Sequence, residues 1–470
     1  MYIKRQSFLV FGLSRSGKAA AQYLLSHGAT VYIYDEIESE RIAQTTAELE
    51  KMGAKQFTKD KISTAPNFCD ALVLSPGIPI DHTLAVAFKR AGKGVISECE
   101  LAARRMHSPM IAITGTNGKT TTVNMLTEIL KKGGLSAVAC GNIGMPILEA
   151  VDKSQDEIFV AEISSFQLET LSSHFPHIAV VLNVTEDHLN RHYTMENYIF
   201  LKKKLLKNLT ETEFAILNYD DLTVRAFAEK TKAKVLYFSL KERVYGGYLE
   251  KGDLYFGKEK IMSADDVSIG GAHNLQNALA AIVAAKIMGI SSSDIAAALS
   301  FFKGVNHRIQ TVDSINGVTY VNDSKGTNVD ATLKAVAAMK TETVLLLGGK
   351  DKGYHYDALF GELKKTCVIH TVLYGENRYA LLKSAQAVGF ADVSLCVGFE
   401  TAVRLAAMQA KQGQTVLLSP ASASFDEFAN YEERGDKFVE IVQSFAKAEK
   451  GDCKDEQAER AVFNESGQDE

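Results

Sequence analysis

The stretch Ile111-Ala112-Ile113-Thr114-Gly115-Thr116-Asn117-Gly118-Lys119-Thr120-Thr121 decides the fold of the middle of this chain, because it joins a strand to a helix through a glycine-rich turn. Apolar residues of strand type (110–113) enter the turn, and apolar residues at helical spacing follow it. The two glycines let backbone N–H groups converge on an anion, and the helix start adds its positive dipole end. Lys119 and the Thr120 hydroxyl suit the phosphates of a nucleotide and Mg²⁺. The stretch therefore predicts a phosphate-binding loop.

The spacing of this loop differs from the commonest pattern, which has four residues between its glycines. Here Thr116 and Asn117 alone separate Gly115 from Gly118. The alternative is a structural strand-to-helix turn that carries a surface lysine. The order of strand, glycines, Lys-Thr and helix favours the phosphate loop.

Length and composition indicate a globular α/β protein of several domains. At ~150 residues per domain, 470 residues suggest roughly three domains. A net charge of −5 gives no basic surface for nucleic acid, and no apolar run is long enough to span a membrane. The chain starts without a signal peptide pattern, and its six cysteines form no Cys-x-x-Cys pair. We expect a cytoplasmic protein without disulfides or a zinc site.

The amino-terminal region has a βαβ pattern. A buried strand (8–11) runs into Gly12-Leu13-Ser14-Arg15-Ser16-Gly17 and a helix, and a second strand (30–34) ends at Asp35. Ser14 replaces one glycine of the dinucleotide fingerprint, so the support for NAD is weak. The pattern predicts a diphosphate on the backbone at Ser14, Arg15 and Ser16, with Asp35 on a ribose or base.

A further strand of this region (71–74) runs into Ser75-Pro76-Gly77-Ile78-Pro79. Ligands bind beyond the carboxyl ends of such strands, although a structural turn explains the same residues equally well. Residues 101–107 are predicted to link this region to the phosphate loop.

Three central strands end in polar groups. Strand 137–140 precedes Asn142, strand 158–161 delivers Glu162, and strand 178–182 precedes Asp187 and His188. A parallel sheet would gather these ends beside the phosphate loop. Glu162 is the best candidate for Mg²⁺, which prefers hard oxygen ligands. Asp187 and His188 are weaker candidates, since a lone histidine is more often structural.

A helix that begins after Thr194 leads into Lys202-Lys203-Lys204. Taken from composition, the three lysines indicate a solvated helix face. Residues 235–270 have the pattern of a β meander, and an alanine-rich helix follows from Gly271 to Met288.

The carboxy-terminal region alternates strands and helices as a third α/β unit. Strand 318–322 leads into Asp323-Ser324-Lys325-Gly326-Thr327, and two later strands end at 348–353 and 419–428. Hydroxyls and lysines at these ends suit a carboxylate or phosphate. The predicted domains are 1–100, 101–305 and 306–447, with a disordered polar tail over 448–470.

Taken together, these motifs resemble the Mur ligase family of ATP-dependent amide-bond-forming enzymes. The motifs that carry the resemblance are, in chain order, Gly115-Thr116-Asn117-Gly118-Lys119-Thr120, Glu162-Ile163-Ser164-Ser165-Phe166-Gln167-Leu168, Asn183-Val184-Thr185-Glu186-Asp187-His188, Gly271-Ala272-His273-Asn274, His307-Arg308 and Asn322-Asp323-Ser324-Lys325-Gly326-Thr327. Residues 12–17, 75–78 and 419–424 most resemble the members that add D-glutamate to UDP-N-acetylmuramoyl-L-alanine. The resemblance implies three α/β domains: Rossmann-like, P-loop ATPase and Rossmann-like.

The resemblance also implies roles for particular residues. ATP would be bound by Gly115, Thr116, Asn117, Gly118, Lys119, Thr120, Thr121, Asn274, Arg308 and Asp323. Two Mg²⁺ ions would be held by Thr120, Glu162, His188 and Lys202, the last after CO₂ has carbamylated it, while Lys203 and Lys204 remain surface lysines. The UDP-substrate would contact Ser14, Arg15, Ser16, Asp35, Ser75, Gly77, Asn142 and Gln167. D-Glutamate would contact Lys325, Thr327, Lys352, Ser424 and Phe425. Lys119, Glu162, His188 and Lys202 form the implied catalytic set.

Several alternatives stay open. Lys350 competes with Lys352 for D-glutamate, because two lysines lie near the expected position. A sister Mur ligase or a folylpolyglutamate-type ligase would use the same scaffold, although the amino-terminal βαβ unit disfavours the folate enzyme. The phosphate loop argues against an NAD-dependent dehydrogenase. A non-catalytic nucleotide-binding switch would not need the third α/β unit. We expect a monomer.

Overall fold

A computed structural model describes residues 3–106, 108–153, 157–173, 176–302, 304, 306–351 and 356–446. The chain divides into two compact units, Met1–Lys303 and Gly304–Glu470. Lys352 and the predicted tail over 448–470 lie outside the described residues. Among the helices of the described ranges, none is long and apolar enough to cross a membrane.

The first sheet of the amino-terminal unit is parallel throughout its described strands. The strands are β1 Ser7–Phe11, β2 Thr30–Tyr34, β3 Lys55–Gln56, β4 Ala71–Leu74 and β5 Gly94–Ile96. The helices are α1 Arg15–Ser26, α2 Glu40–Lys51, α3 Ala65–Phe68, α4 Thr83–Arg90 and α5 Glu98–Arg105. The strand order is β3-β2-β1-β4-β5. Residues 8–11 of β1 and all of β4 are apolar and buried, and alternate residues belong to two different core clusters, as expected for a sheet covered on both faces. Residues 98–105 are helical, so the predicted link at 101–107 is largely a helix.

The central sheet contains the phosphate-loop stretch. Its strands are β6 Met110–Thr114, β7 Ala137–Gly141, β8 Ile158–Glu162, β9 Ile178–Val181, β10 Phe214–Asn218, β11 Lys234–Ser239, β12 Gly246–Glu250, β13 Asp253–Phe256 and β14 Glu259–Ser263. Its helices are α6 Lys119–Lys132, α7 Ile147–Lys153, α8 Ser165–Thr170, α9 Leu189–His192, α10 Met195–Lys203, α11 Leu222–Arg225, α12 Ala272–Ile287 and α13 Ser292–Ser300. Short 3₁₀ helices occupy Ile62–Thr64, Lys204–Leu206, Ala226–Lys230 and Ala264–Asp266.

The strand order of the central sheet is β14-β13-β12-β11-β10-β9-β6-β8-β7. Strand β6 lies between β8 and β9, parallel to both, so the ends of these three strands meet at one edge of the sheet. The predicted meander is present as the antiparallel strands β12 to β14. This order places the predicted polar groups beside the phosphate loop.

The first two sheets share a hydrophobic core. Buried side chains of both sheets, among them Val10 and Ala112, belong to one cluster with residues of the connecting helices. The buried carboxylate of Glu98 on α5 accepts a 2.5 Å hydrogen bond from the backbone N–H of Leu148 on α7. The two sheets therefore form one compact unit.

The carboxy-terminal unit has a six-stranded sheet. Its strands are β15 Gln310–Ile315, β16 Val318–Asn322, β17 Thr343–Gly348, β18 Val368–Tyr374, β19 Val393–Leu395 and β20 Thr415–Leu418. Its helices are α14 Val329–Ala337, α15 Asp357–Leu363, α16 Arg378–Ala387 and α17 Phe399–Gln409, and residues 431–446 are also helical. The order is β15-β16-β20-β17-β18-β19, with β15 antiparallel. The predicted third α/β unit is confirmed.

Candidate active site

The phosphate-loop stretch adopts the predicted strand, turn and helix. Gly115 and Gly118 have φ values of +156° and +87°, in the region that favours glycine, and α6 begins at Lys119. The Lys119 ammonium donates to the carbonyls of Gly115 at 2.9 Å and Thr116 at 2.8 Å, so its side chain folds back over the loop. The Asn183 side chain accepts from the Asn117 N–H at 2.8 Å and ties the loop to the end of β9.

Glu162 at the end of β8 lies directly beside the loop. The Thr120 hydroxyl donates to Glu162 Oε2 at 2.6 Å, and the Asn142 amide donates to Oε1 at 2.8 Å. Glu162 is 1% exposed, so its charge is shielded from bulk water. Each carboxylate oxygen thus has a donor that fixes its direction. Thr121, next to Thr120, has a buried hydroxyl for which the described residues provide no hydrogen-bond partner.

Lys202 is buried, contrary to the expected solvated helix face. Its side chain is 1% exposed, and its Nζ lies 4.5 Å from the centre of the Tyr198 ring. Burial lowers the pKa of Lys202 well below its usual range, and the charge of Lys119 lowers it further, while Asp187 and Glu162 act in the opposite direction. An amine in this environment favours its neutral form.

Lys204 also differs from the expected surface lysine. It is half-buried, and its Nζ donates to the backbone carbonyl of Glu169 at 2.9 Å. The pKa of Lys204 is lowered by burial first and by Lys207 second.

His188 stands at the start of α9 in a left-handed conformation, with φ of +55°. Its ring lies 4.8 Å from the ring of Phe166, and its Nε2 lies 3.5 Å from a carboxylate oxygen of Asp187. In the described ranges, no cluster of three or more His, Cys, Asp or Glu side chains with metal-binding geometry occurs. The oxygen donors next to the phosphate loop include the Thr120 hydroxyl and the Glu162 carboxylate, which are hydrogen-bonded to each other.

The amino-terminal glycine loop is linked to the turn after β4. Ser75 Oγ donates to the Gly12 carbonyl at 2.7 Å, and Asp35 accepts from the Leu13 N–H at 2.6 Å. Ser14 and Arg15 are exposed, Ser16 is half-buried, and Gly77 is exposed. A cavity of about 990 Å³ lies beside Asp35, between the end of β2 and residues 56–59. The predicted diphosphate and ribose contacts are thus gathered at one edge of the first sheet.

Gln167 and Asn274 have structural hydrogen bonds. The Gln167 side chain accepts from the Ser164 N–H at 2.9 Å in a capping box at the start of α8. Asn274 lies near the start of α12, where its amide donates to the Gly270 carbonyl at 2.8 Å. Its oxygen accepts from Asn277 at 3.3 Å, and the Asn277 side chain lies beside Gly118. Helix α12 therefore begins next to the phosphate loop.

Asp323 is the centre of a polar cluster in the carboxy-terminal unit. It is 3% exposed and accepts from the Ser419 hydroxyl at 2.7 Å and from the Ile309 N–H at 3.2 Å. Burial raises the pKa of Asp323 to about 6, although the charge of Arg308 lowers it. Nε of Arg308 is buried, and the described residues offer it no hydrogen-bond acceptor.

The candidate amino-acid contacts lie on neighbouring loops of the same unit. Lys325 Nζ donates to the Tyr431 hydroxyl at 2.9 Å, and Thr327 is half-buried two residues later. The Ser424 hydroxyl is buried, and the described chain supplies no partner for it, whereas Phe425 is 68% exposed. The choice between Lys350 and Lys352 stays a prediction, since Lys352 is outside the described residues and Lys350 pairs with Glu376 at 2.6 Å.

Two residues, one in each compact unit, contact predicted site residues or their neighbours and were not singled out from the sequence. Tyr198 contacts the Thr116 hydroxyl at 3.2 Å and lies under Lys202, four positions earlier on α10, a spacing that places both on one helix face. Arg434 is fully buried and donates to the backbone carbonyls of Ser324 and Ser422. The sequence around Arg434 contains no pattern that indicates its burial.

The fold and the site define a nucleotide-binding α/β protein with a phosphate loop at the centre of a mainly parallel sheet. Sequence models of three domains match the chain. They are the MurD-like amino-terminal domain of Mur ligases over residues 6–97, the Mur ligase middle domain over 113–285 and the Mur ligase glutamate ligase domain over 307–422. The chain belongs to the Mur ligase family.

Curated relatives match along nearly the whole chain. The UDP-N-acetylmuramoylalanine–D-glutamate ligase of Pelotomaculum thermopropionicum is 40% identical over 94% of this chain and 98% of its own. The protein of the same name from Clostridioides difficile is 39% identical over 94% of this chain and 100% of its own.

Solved structures share the fold at lower identity. UDP-N-acetylmuramate–alanine ligase of Thermotoga maritima superimposes with a TM-score of 0.60 at 18% identity, over 93% of this chain and 99% of its own. The MurF ligase of the same organism, solved in complex with ADP, superimposes with a TM-score of 0.57 at 17% identity, over 95% of this chain and 96% of its own. The predicted three-domain α/β architecture is confirmed.

Proposed function

We propose that this protein is an ATP-dependent ligase that joins D-glutamate to UDP-N-acetylmuramoyl-L-alanine in peptidoglycan precursor synthesis. The observation that carries the proposal is the similarity over 94% of the chain to curated relatives with that activity in their name. The phosphate loop, with Glu162 hydrogen-bonded to Thr120, supplies a site suited to the chemistry.

The reaction has two steps. A carboxylate oxygen of the alanyl residue attacks the γ-phosphorus of ATP, and ADP leaves, so that an acyl phosphate forms. The neutral amine of D-glutamate then attacks the acyl carbon. The tetrahedral intermediate loses phosphate and a proton, which leaves the amide. The first step brings two anions together, and it therefore needs positive charge and in-line positioning.

The phosphate loop would supply that charge. Lys119 and the backbone N–H groups of residues 115–121 hold the phosphates, with the loop kept in shape by Gly115 and Gly118. The Lys119 ammonium now donates to two loop carbonyls and would turn toward the γ-phosphoryl group when ATP binds. Thr121 has a buried, unpartnered hydroxyl among the described residues and would take a phosphate oxygen.

The donors beside the loop fit magnesium. The Thr120 hydroxyl and the Glu162 carboxylate are hard oxygen donors held together at 2.6 Å, the kind of ligand that Mg²⁺ selects. They would hold one ion, and His188 with Lys202 would hold a second. Bound Mg²⁺ supplies charge neutralisation at the transferred phosphoryl group.

Lys202 would act as a carbamate. Burial next to Lys119 lowers the pKa of Lys202, and the neutral amine is the form that attacks CO₂. The new N–C bond forms as the nitrogen loses one proton, which converts the neutral amine into an anionic carbamate. That change places a negative charge near the Lys119 ammonium and adds an oxygen ligand for metal. Tyr198, whose ring lies 4.5 Å from Lys202 Nζ, fixes the direction of the side chain.

The remaining assignments follow the family resemblance. The uridine diphosphate handle would bind the loop Ser14–Ser16, Asp35, Ser75 and Gly77, with Asn142 and Gln167 on the muramoyl portion. Asn274 would contact adenine, Arg308 a phosphate and Asp323 the ribose. Lys325, Thr327, Lys352, Ser424 and Phe425 would bind D-glutamate. We further propose that the protein is a monomer and that it works in the cytoplasm. The five described cysteines, all unpaired, suit that reducing compartment.

An acceptor screen tests the proposal. Phosphate release from ATP is measured with UDP-N-acetylmuramoyl-L-alanine and, in separate reactions, D-glutamate, L-glutamate, L-lysine and meso-diaminopimelate. A parallel set replaces the UDP-substrate by a folyl-glutamate. We expect release with UDP-N-acetylmuramoyl-L-alanine and D-glutamate together and with no other pair. Equal release with another acceptor, or with the folate, would reassign the substrate.

A further inference from the structure

The guanidinium of Arg191 lies between the first sheet and the helices of the central sheet. Its two terminal nitrogens donate to the backbone carbonyls of Pro76 at 3.4 Å, Gly77 at 3.2 Å and Ile78 at 2.7 Å. On the other side, its Nε and Nη2 form a two-point pair with Glu169, at 3.0 and 2.7 Å. One side chain thus joins the turn after β4 to helix α8.

The central-sheet side of this link is largely buried. The side chain of Glu169 is 5% exposed and that of Arg191 is 13% exposed, and the guanidinium lies 5.1 Å from the centre of the Phe166 ring. Arg191 belongs to α9, which begins directly after His188, and Glu169 belongs to α8, which begins shortly after Glu162. The anchor therefore sits on the elements that carry the proposed catalytic groups.

The first-sheet side is joined to the glycine loop. Ser75, directly before the three carbonyls, donates from its hydroxyl to the Gly12 carbonyl at 2.7 Å. The fit there is close, since a Cβ added to Gly12 would lie 2.8 Å from Ser75 Cβ. A displacement of residues 76–78 would consequently move the glycine loop as well.

We propose that Arg191 is a positioning residue, which sets the spacing between the glycine loop and the phosphate loop by holding residues 76–78 against Glu169. The inference rests on the proposed function. The uridine diphosphate of the substrate would bind one loop, and its carboxylate would react at the other. Both contacts add to its binding free energy only when the spacing of the two loops matches the length of the substrate. A planar guanidinium suits this task, because it donates in fixed directions to five acceptor atoms of four residues, which an ammonium does not.

The test compares the affinity of the full-length protein for UDP alone with its affinity for the whole substrate. UDP binding is measured by ligand-observed NMR, and UDP-N-acetylmuramoyl-L-alanine binding by calorimetry, for wild type, Arg191→Met and Arg191→Lys. We expect the Kd of UDP to stay within about twofold and that of the whole substrate to rise by about tenfold or more in Arg191→Met, because the linked second contact is lost. Arg191→Lys should lie between the two.

Steady-state kinetics give a second readout. The KM for UDP-N-acetylmuramoyl-L-alanine should rise and kcat should fall in Arg191→Met, while the KM for ATP stays unchanged. Arg225→Met is the control, since Arg225 on α11 stacks on Tyr219 at 4.0 Å, and it should leave all constants unchanged. Glu169→Gln should reproduce the pattern more weakly, which keeps the inference testable if Arg191→Met folds poorly.

The outcomes separate the two claims. UDP that fails to bind the wild-type protein would overturn the proposed function. UDP and whole substrate that both bind the wild type, with both Kd values unchanged in the Arg191 and Glu169 variants, would overturn the positioning role and leave the proposed function standing. Equal weakening of both ligands would also overturn it, since Arg191 would then shape the UDP site itself.

Discussion

The Thr120 hydroxyl donates a 2.6 Å hydrogen bond to the Glu162 carboxylate, although 42 positions of sequence separate them. Thr120 stands on the first turn of α6 and Glu162 at the last position of β8, and β6 and β8 are parallel neighbours. The pairing follows from strand order, because the chain leaves β6 at the edge where β8 ends. It creates a pair of oxygen donors next to the phosphate loop.

Glu162→Gln should raise the Mg²⁺ concentration that gives half-maximal activity by at least about tenfold, because a ligand charge is lost while the shape is kept. The measurement is phosphate release during a magnesium titration after EDTA treatment. Glu157→Gln, just before the opposite end of the same strand, is the control and should leave the titration unchanged. A wild-type magnesium dependence in Glu162→Gln would contradict the assignment.

Gly118→Ala should lower kcat/KM by about 100-fold or more, the usual cost of displacing a preorganised donor. An added Cβ would lie 2.3 Å from Asn277 Oδ1, at a φ of +87° that disfavours alanine. Gly134→Ala is a close control, since Gly134 has φ of +82° and no atom within 4 Å of an added Cβ. It should lose about 1 kcal/mol of unfolding free energy and keep its kcat/KM. Similar kcat/KM values for the two variants would contradict the role of the Gly118 loop in binding the phosphates of ATP.

Lys202→Ala should lower kcat/KM by at least about 100-fold, and acetate in solution should restore part of the activity by replacing the carbamate oxygens. With ¹³C-labelled CO₂, the wild-type protein should give a carbamate carbon signal that the variant lacks. Lys203→Ala is the neighbouring control and should retain both activity and signal, because Lys203 is half-buried against Phe227. Full activity of Lys202→Ala would mean that no carbamate is needed.

Glu98→Gln should change the pH dependence of stability. Burial raises the pKa of Glu98 to about 7 from a usual 4.5, despite hydrogen bonds that lower it. Between these two pH values the folded state binds more protons than the unfolded state, so the wild type loses stability as pH rises. The loss amounts to about 3 kcal/mol above pH 7.

Urea unfolding at several pH values measures this effect. The unfolding free energy of Glu98→Gln, minus that of the wild type, should increase from pH 4.5 to pH 7.5, because glutamine has no proton to lose. A difference that stays constant over this range would show that Glu98 is charged in the folded protein.

Local patterns predicted much of the fold. The phosphate loop, the acidic end of β8 and the helix that starts after Thr194 are each set by a few adjacent residues, and the structure has them at the expected positions. Parallel order then predicts that the strand ends meet, which the Thr120–Glu162 hydrogen bond confirms.

The rest depends on contacts between distant segments. Three consecutive lysines give no sign that Lys202 is buried against Tyr198, since that follows from how α10 packs on the phosphate loop. Arg191 and Glu98 likewise have partners 113 and 50 positions away. The local sequence around Lys202, Arg191 and Glu98 does not indicate that these residues are buried, because their contacts form only when distant segments pack together.

Oxygen labelling tests the central claim most directly. UDP-N-acetylmuramoyl-L-alanine with ¹⁸O in its alanyl carboxylate is converted with ATP and D-glutamate, and the released phosphate is analysed by mass spectrometry. An acyl phosphate transfers the bridging oxygen to phosphorus, so one ¹⁸O per turnover should appear in the inorganic phosphate. Unlabelled phosphate, or label in AMP, would contradict phosphoryl transfer to the substrate carboxylate.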